Sequence, residues 1–251
     1  MLKEPLVSII TPLYNSEKFI SETIESVLAQ TYTNWEMIIV NDRSKDNGAS
    51  IVEKYVEKDK RIKLFNNEIN MGVSFTRNKA IDLAQGKYIA FLDSDDLWYK
   101  DKLTKQIGMM EKNHYVLSYT GYNKINEDGS KRGIISVPEK LNYKELLKNN
   151  LISCDTGVYN KEFFKDNKFM NFGMSEDYIF WLKMLKKVEY AYGTKEVLAS
   201  YRIAENSRSS NKIRAVKFNW KIYREVEKLN LIESVYYFVI YLTRGIRRYL
   251  K

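Results

Sequence analysis

Three aspartates, Asp93, Asp95 and Asp96, follow directly after the apolar residues 88–92. A short apolar run that stops at polar residues is typical of a strand buried on both faces. Alternate side chains of an extended segment share a face, so Asp93 and Asp95 can point to one side and bind a hard cation together with a phosphate group. A polar turn that happens to be acidic would look the same, and these residues alone do not separate the two interpretations.

A second acidic pair, Glu176 and Asp177, lies in the first turn of a predicted helix. Ser175 is the expected N-cap, and apolar residues recur at helical spacing over residues 178–188. The two acids could merely complement the helix dipole. The same dipole would keep Asp177 ionised at neutral pH, as a general base must be.

The single cysteine, Cys154, and the single histidine, His114, limit the other chemistry of the chain. One cysteine excludes an internal disulfide framework, and one histidine excludes a site that needs two imidazoles. Both counts argue against Cys/His zinc sites and Ser-His-Asp catalysis. A metal would therefore be bound by oxygen atoms, which favours magnesium or manganese.

The acids must be positioned by the strands and helices that alternate in the first half of the chain. Strands are predicted at residues 6–11, 35–40, 61–65 and 87–92, each ending at a polar cluster. Pro12 is expected to end the first strand, Ser16 to cap the helix after it, and Gly86 to end the helix before the fourth strand. Four repeats indicate a parallel, doubly wound α/β sheet, which binds ligands at the carboxyl edge of its strands. The polar strand ends would meet there, although loop polarity alone could also explain them.

The second half is less regular. Its predicted elements are helices at 100–112 and 143–149, strands at 115–122, 153–159, 188–192 and 197–202, a hairpin turn at 127–129, and a polar loop at 207–211 that could be a lid or a boundary.

The last forty residues form a basic tail. Residues 212–251 contain ten Lys and Arg against three Glu, a net charge of +7 in a chain whose total is +9. The second tail helix has tyrosines and arginines beside an apolar stripe, which is formed by Val235, Phe238, Val239, Leu242, Ile246, Tyr249 and Leu250. Such a pattern is typical of a helix on a membrane surface, with Tyr237 and Tyr241 leading to Arg244, Arg248 and Lys251 on its other side. A helix docked on the protein with a solvated basic face is the alternative.

The first apolar run is too short for a signal peptide, and no stretch reaches the roughly 18 to 20 apolar residues of a spanning helix. We therefore expect a cytoplasmic protein, peripheral on the inner face of the membrane. No fold that recognises nucleic acid surrounds the basic tail, so nucleic acid is not an expected partner.

Six motifs together resemble the family 2 glycosyltransferases, which are inverting enzymes of the GT-A fold. They are residues 7–15 (VSIITPLYN), 41–44 (NDRS), 70–78 (NMGVSFTRN), 91–98 (FLDSDDLW), Glu176-Asp177 and Tyr201-Arg202. The match spans about residues 5–207 in the same order and spacing. Within the family, the chain is most similar to short bacterial transferases of surface polysaccharide assembly, including the teichuronic acid type.

The resemblance implies a role for each matching residue. On the donor side, the nucleotide pocket would be lined by Thr11, Pro12, Tyr14 and Asn15, with Asp42 bonded to the uracil edge. Arg77 would face the diphosphate or donor sugar, Asp93 the ribose or donor sugar, and Asp95 the metal, Mn²⁺ or Mg²⁺. Asp177 would be the catalytic base, oriented by Glu176, while the possible donor or acceptor contacts are Asp96, Trp98 and Trp181.

The same resemblance divides the chain. Residues 1–211 would form the GT-A domain, with a nucleotide-binding half at 1–98 and an acceptor-binding half at 99–211, and residues 212–251 the helical tail. The chain departs from the family at three positions: Ala204 replaces a frequent histidine that can assist the metal, Arg43 a frequent glycine, and Thr76 a usual alanine.

The function implied is transfer of a sugar, with inversion, from a UDP-sugar to a hydroxyl of a lipid-linked or glycan acceptor in cell-surface polysaccharide biosynthesis. A noncatalytic subunit that binds nucleotide sugars is an alternative, for which Ala204 is the only support. A sugar nucleotidyltransferase is another, but it would need a glycine-rich basic loop where this chain has residues 11–15.

Overall fold

The computed structural model describes residues 4–203 and 212–247 of the chain. Three parts of the sequence analysis lie outside the described residues: Ala204, the predicted loop at 207–211 and the tail residues 248–251. The apolar and basic residues predicted at 248–251 therefore lie outside them as well.

Strands and helices alternate in the first half, as the sequence predicts. The elements are β1 (Val7–Leu13), α1 (Ile20–Leu28), β2 (Trp35–Asn41), α2 (Gly48–Lys58), β3 (Ile62–Asn66), α3 (Val73–Leu83) and β4 (Tyr88–Phe91). The strands lie in the order β3-β2-β1-β4, and all three of these pairings are parallel. Their carboxyl ends therefore share one edge of the sheet.

The second half extends the same sheet. It contains β5 (Leu97–Trp98), α4 (Lys102–Asn113), β6 (Leu117–Ile125), β7 (Lys131–Ile135), β8 (Lys140–Leu141), α5 (Tyr143–Lys148), a 3₁₀ turn (Cys154–Thr156), β9 (Val158–Asn160), α6 (Glu176–Leu185), β10 (Ala191–Arg202), α7 (Lys212–Lys221), a π-helical turn (Ile222–Val226) and α8 (Leu231–Arg247). The sheet continues as β9-β6-β10-β5. β6 and β10 are parallel to each other, whereas β9 runs antiparallel to both β4 and β6.

The sheet is buried between two layers of helices, and neighbouring residues of a strand face opposite layers. Ile10 and Ile89 pack with α3, α5 and α6, whereas Ile9 and Ala90 pack with α1 and α4. Burial on both faces explains why β1, β2 and β4 are continuous apolar runs.

Two predicted element ends are wrong. β1 continues through Pro12 to Leu13. The Ile10 carbonyl accepts a bond from Leu92, just after β4, and the Leu13 carbonyl accepts one from Asp42, in the loop after β2. Residues two apart in a parallel strand bond to the same side, so Pro12 faces the β4 side, where pairing has already ended at Phe91. Gly86 does not cap α3, which ends at Leu83; a Cβ on it would come within 2.6 Å of the Ser8 backbone nitrogen, so the chain needs glycine for this close approach.

Other local predictions differ in detail. α1 begins at Ile20 instead of after Ser16, and Ser175, which precedes α6, has a positive φ of 58° and makes no capping bond with its side chain. The strands predicted at 188–192 and 197–202 form one strand, β10, with irregular pairing to β6 in between. The strand predicted at 153–159 divides into the 3₁₀ turn and β9. The hairpin turn at 127–129 is present between β6 and β7, with Gly129 at a φ of 82°.

The described part of the tail packs on the body of the protein. The Tyr223 hydroxyl donates to the Leu147 carbonyl at 2.5 Å, and Lys186 is 2.6 Å from Glu227, whose side chain is buried. The boundary at residue 211 stays a prediction. Within residues 4–203 and 212–247, no helix is long and apolar enough to span a membrane.

Candidate active site

A cleft of about 670 Å³ lies at the carboxyl edge of the parallel strands. Of the residues predicted for the site, it is lined by Pro12, Tyr14, Asp42, Arg77, Asp93, Asp95, Asp96, Glu176 and Asp177. The acids after β4 and those at the start of α6 thus face the same space, although they are about eighty residues apart in the sequence. Their predicted convergence is confirmed; the role of each residue stays a prediction.

A buried arginine connects the two acidic groups. Arg77 on α3 places Nη2 2.5 and 2.8 Å from the two carboxylate oxygens of Asp93, and its guanidinium carbon lies 5.2 Å from the centre of the Phe169 ring. Burial alone would lower the pKa of Arg77, but the negative charges of Asp93 and Asp177 raise it. The site therefore contains a permanent cation between its two acids.

Asp95 is the acid of this loop best suited to a divalent cation. Burial and the charge of Asp93 raise the pKa of Asp95 to about 6, against the opposing effect of Arg202 and Arg77. A cation beside Asp95 would relieve the cost of this buried negative charge. Among the described side chains, no three His, Cys, Asp or Glu are grouped as a complete metal site. The residues fit a cation of the magnesium type, which is bound by one or two carboxylates and completed by phosphate oxygens and water.

Arg202, at the end of β10, holds the acidic loop from behind. Its Nε donates to the Asp95 carbonyl at 2.8 Å, its backbone N–H donates to Asp96 Oδ1 at 2.8 Å, and its Nη2 donates to Glu22 Oε2 at 2.6 Å. Asp96 is only 1% exposed, and burial raises its pKa well above the ordinary value. Asp96 therefore binds β10, and the sugar contact predicted for it is not supported.

Four residues predicted for the site, Trp181, Trp98, Thr11 and Asn15, are not among those that line the cleft. Trp181 is fully buried beneath Gly157, and Trp98 is 5% exposed and donates from Nε1 to the Asp155 carbonyl at 2.8 Å. Both tryptophans support the cleft from inside the protein instead of forming its walls. Thr11 is fully buried, and the Asn15 side chain accepts a bond from the Lys45 backbone, which joins the loops after β1 and β2.

Asp42 organises the part of the cleft next to the loop before α3. Its Oδ1 accepts from Asn67 Nδ2 and the Met71 N–H, and its Oδ2 accepts from the Gly72 N–H, each at 2.8 Å. The three bonds fix the loop before α3, where Gly72 has a φ of 85°. Oδ2 keeps a lone pair that could accept an N–H from a base. The uracil contact predicted for Asp42 stays a prediction.

Asp177 differs from the sequence expectation in its electrostatics. Burial raises the pKa of Asp177, while the cationic Arg77 lowers it by a smaller amount. The helix N-terminus therefore does not hold this carboxyl at its usual acidity. A carboxylate with a raised pKa is a stronger base, which suits proton removal near neutral pH. The Nδ2 atom of Asn150 lies 3.4 Å from Asp177 Oδ2, and Asn150 also lines the cleft.

Sequence reasoning missed the segment between α5 and β9. Four residues of this segment line the cleft: Asn150, Ser153, Cys154 and Asp155. They belong to none of the six motifs, and no charge pattern in the sequence marks them as part of a site. Burial raises the pKa of Asp155 to about 6, although Ser153 donates to its carboxylate.

Lys102 was missed as well, because a lysine in the first turn of a helix is ordinarily exposed. It is fully buried, donates to Gln106 Oε1 at 2.6 Å and lies 4.3 Å from the Trp98 ring. Burial lowers the pKa of Lys102 to about 7, with the charge of Asp155 opposing the shift.

Known proteins resemble the chain over its whole length. It is 43% identical over 246 residues, 98% of both chains, to TuaG of Bacillus subtilis, a glycosyltransferase assigned provisionally to teichuronic acid biosynthesis. It is 40% identical, over 97% of this chain and 95% of the relative, to WfgD of Escherichia coli, a UDP-Glc:α-D-GlcNAc-diphosphoundecaprenol β-1,3-glucosyltransferase.

A solved structure shows the same fold. Residues 1–349 of Staphylococcus aureus TarS in complex with UDP-GlcNAc superimpose with a TM-score of 0.75 at 22% identity, over 96% of this chain and 72% of that one. This likeness confirms the expected GT-A fold. The model of glycosyl transferase family 2 matches residues 8–167, which include the acidic loop, Asp42 and Arg77. The chain belongs to glycosyl transferase family 2.

Proposed function

We propose that this glycosyltransferase transfers a sugar from a UDP-sugar, with inversion, to a hydroxyl of a lipid-linked glycan during cell-surface polysaccharide biosynthesis. The observation that carries the proposal is the single cleft in which Asp95, Arg77 and Asp177 meet. The names of TuaG and WfgD support the polysaccharide and the lipid-linked acceptor. WfgD also supports a UDP-sugar as donor.

The cleft residues divide the reaction between them. Tyr14 and Asp42 bind the nucleotide, and Arg77 with Asp93 positions the diphosphate end of the donor. Asp177 removes the proton from the acceptor hydroxyl. At the same time the hydroxyl oxygen forms a bond to the anomeric carbon of the donor sugar, and the bond from that carbon to the diphosphate oxygen breaks. One displacement inverts the anomeric centre. A divalent metal beside Asp95, when bound, supplies positive charge that stabilises the departing diphosphate.

The test is UDP release by the purified protein with Mn²⁺, a panel of nucleotide sugars and lipid-linked acceptors. Asp177→Asn and Asp95→Ala should each lose at least about a hundredfold of turnover, since general-base and metal contributions are of that size or larger. Asp166→Asn, an exposed aspartate outside the cleft, serves as the control. Wild-type rates in both cleft variants would refute the mechanism. Tight UDP binding without turnover across the panel would favour the noncatalytic alternative.

We further propose that α8 binds an anionic membrane surface on the cytoplasmic side. The structure corrects which residues form its outer face. Tyr237, predicted beside the apolar stripe, is buried against the body, and Phe238, predicted within it, packs on Trp220. The exposed apolar face comprises Leu231, Ile232, Val235, Tyr236 and Val239, which are 46–83% exposed.

Charge around this face favours lipid as its occupant. Arg224, Lys228 and Arg244 are exposed on the turn before α8 and near its end. An apolar face with flanking arginine and lysine is what binds acidic headgroups and the acyl boundary together. The same helix packs on α5, the element that leads to Asn150 on the acceptor side of the cleft. A membrane bound there would lie on the side from which a lipid-linked acceptor approaches.

Vesicle co-sedimentation tests the membrane proposal. The double variant Ile232→Ser/Val239→Ser should bind vesicles of phosphatidylglycerol at least about tenfold more weakly, because each buried apolar side chain contributes roughly 1.5 to 3 kcal/mol. Ile134→Ser, which removes a 67% exposed isoleucine from β7, should change nothing. Equal binding by all three proteins would contradict the proposal.

A further inference from the structure

Asn150 lies where an acceptor sugar would meet the base. Its Nδ2 is 3.4 Å from Asp177 Oδ2, and its Oδ1 is buried with no hydrogen-bond partner among the residues that the structure describes. A buried amide oxygen without a partner costs free energy, so such an atom is uncommon in a folded protein. Because Asn150 lines the cleft, the missing partner can come from a ligand.

The orientation of the Asn150 amide follows from its neighbour. An ionised carboxylate only accepts hydrogen bonds, so the NH₂ group must face Asp177 and the carbonyl oxygen must face the other way. A flipped amide would place two oxygen atoms against each other. The carbonyl oxygen is thus left without a partner within the described part of the protein.

The fold fixes Asn150 relative to Asp177 through the end of α5. The last carbonyls of a helix have no partner within it. In α5, the Tyr178 hydroxyl bonds to the carbonyls of Leu146 and Leu147 at 3.2 and 3.3 Å, and the Tyr223 hydroxyl bonds to Leu147 at 2.5 Å. Tyr178 is the residue after Asp177. The helix that carries the base therefore holds the helix end that presents Asn150.

We propose that Asn150 binds, through its carbonyl oxygen, a hydroxyl of the acceptor sugar other than the one that reacts, and orients the Asp177 carboxylate through its amide group. This inference rests on the proposed function, because it needs a hydroxyl acceptor in the cleft. The amide would then hold the acceptor sugar and the base at the same time, and the reacting hydroxyl would keep its own proton free to point at Asp177. The residue adds an acceptor-side contact to a site whose other assignments concern the donor, the metal and the base.

Two substitutions separate the two roles. Asn150→Ala removes both hydrogen bonds. It should raise the acceptor KM about tenfold or more, because that is the effect of losing one hydrogen bond to a substrate. The donor KM should change less than about twofold. Asn150→Asp keeps an acceptor oxygen but replaces the amide donor with a second carboxylate. Asn150→Asp should retain more of the acceptor affinity than Asn150→Ala does. It should also move the acid limb of the kcat/KM profile to higher pH. The groups that also act on Asp177, namely Arg77, Asp93, Glu176 and Cys154, are unchanged in both variants.

The control is Asn149→Ala, which alters the neighbouring asparagine outside the cleft. Melting temperatures of all variants establish that they fold. The inference is overturned if Asn150→Ala keeps the wild-type acceptor KM and pH profile, or if donor and acceptor KM rise together with a loss of stability. Failure of the proposed function is a distinct result, because the wild-type protein itself would then release no UDP with any donor and acceptor.

Discussion

The carboxylate of Asp177 lies near a buried cation, and this pair determines how activity should depend on pH. Burial raises the pKa of Asp177, and the charge of Arg77 opposes that shift. A base must be ionised to act, so activity is lost as pH falls through its pKa. Since the pKa is raised, the loss should begin at a higher pH than for an ordinary aspartate.

Replacing Arg77 tests this relation. Arg77→Met removes the opposing charge, so the pKa of Asp177 should rise further and the acid limb of kcat/KM should move to higher pH. The measurement is kcat/KM from about pH 5 to about pH 9, the range in which a raised carboxyl pKa falls. Arg61→Met is the matched control, because Arg61 is paired with Asp59 on the surface away from the cleft. An acid limb that stays at the wild-type pH would show that Arg77 does not act on the base.

The two tryptophans show that the type of a residue does not tell whether its side chain faces the cleft or the core. Trp98 and Trp181 stand beside the two acidic motifs in the sequence, and aromatic walls are common in sugar sites. Their orientation is decided by partners far along the chain: Trp98 bonds to the Asp155 carbonyl, and Trp181 fills the space above Gly157. A Cβ on Gly157 would lie 2.4 Å from the Trp181 ring, so this packing requires glycine.

At the scale of elements, Arg202 links three parts of the fold: its own strand β10, helix α1 and the acidic loop after β4. Its side chain is 1% exposed, and it donates to Glu22 and to the carbonyls of Asp95 and Glu127. The planar guanidinium reaches all three partners at once, whereas a lysine presents one point charge.

Arg202→Lys should therefore destabilise the protein. We expect the free energy of unfolding to fall by about 3 kcal/mol, because the change leaves buried oxygen atoms without partners. Chemical denaturation measures the difference. Arg132→Lys, on the exposed strand β7, should change the free energy of unfolding by less than about 0.5 kcal/mol. A loss of similar size in both variants would mean that the Arg202 bonds contribute little.

The sequence predicted those parts of the fold that depend on neighbouring residues. The four parallel strands follow from apolar runs that end at polar residues, and the parallel order places those polar strand ends at one edge of the sheet. The order and spacing of six motifs were enough to predict the family. The same local signals gave Pro12 and Gly86 the wrong roles, because strand pairing and close packing against Ser8 decide those positions.

The rest of the site depends on contacts between distant segments. Asn150 reaches Asp177 only because Tyr178 and Tyr223 bind the end of α5, from more than 25 residues away in the sequence. Lys102 is buried because the Trp98 ring and Gln106 surround its amine. No periodicity in the sequence records such contacts, so the burial of Lys102 and the part of the cleft that contains Asn150 could not be predicted.

The described part of the molecule supplies few ligands of its own to a metal, and this has a consequence for stability. The described side chains contain no complete metal site, and Asp95 is the acid best suited to a cation. A cation would need diphosphate oxygens to complete its coordination. Mn²⁺ and UDP should therefore stabilise the protein together by more than the sum of their separate effects.

The pH dependence of this stabilisation follows from Asp95, whose pKa is raised to about 6 in the folded protein from 3.8. A carboxyl with a raised pKa binds more protons in the folded than in the unfolded state, so its contribution to stability falls as pH rises from about 4 to about 6. Above that window Asp95 is ionised and free to bind a cation, and below it a proton competes.

Mn²⁺ and UDP together should hence raise the melting temperature by about 5 to 10 °C near pH 7.5. This shift corresponds to roughly 2.7 kcal/mol of stabilisation, the value for ligands at a hundredfold excess over Kd. The rise should shrink below about pH 6, because protonated Asp95 no longer attracts the cation. In Asp95→Asn the metal-dependent part should be absent at every pH, while UDP alone still binds. An equal rise at both pH values, or in the variant, would place the metal on other residues.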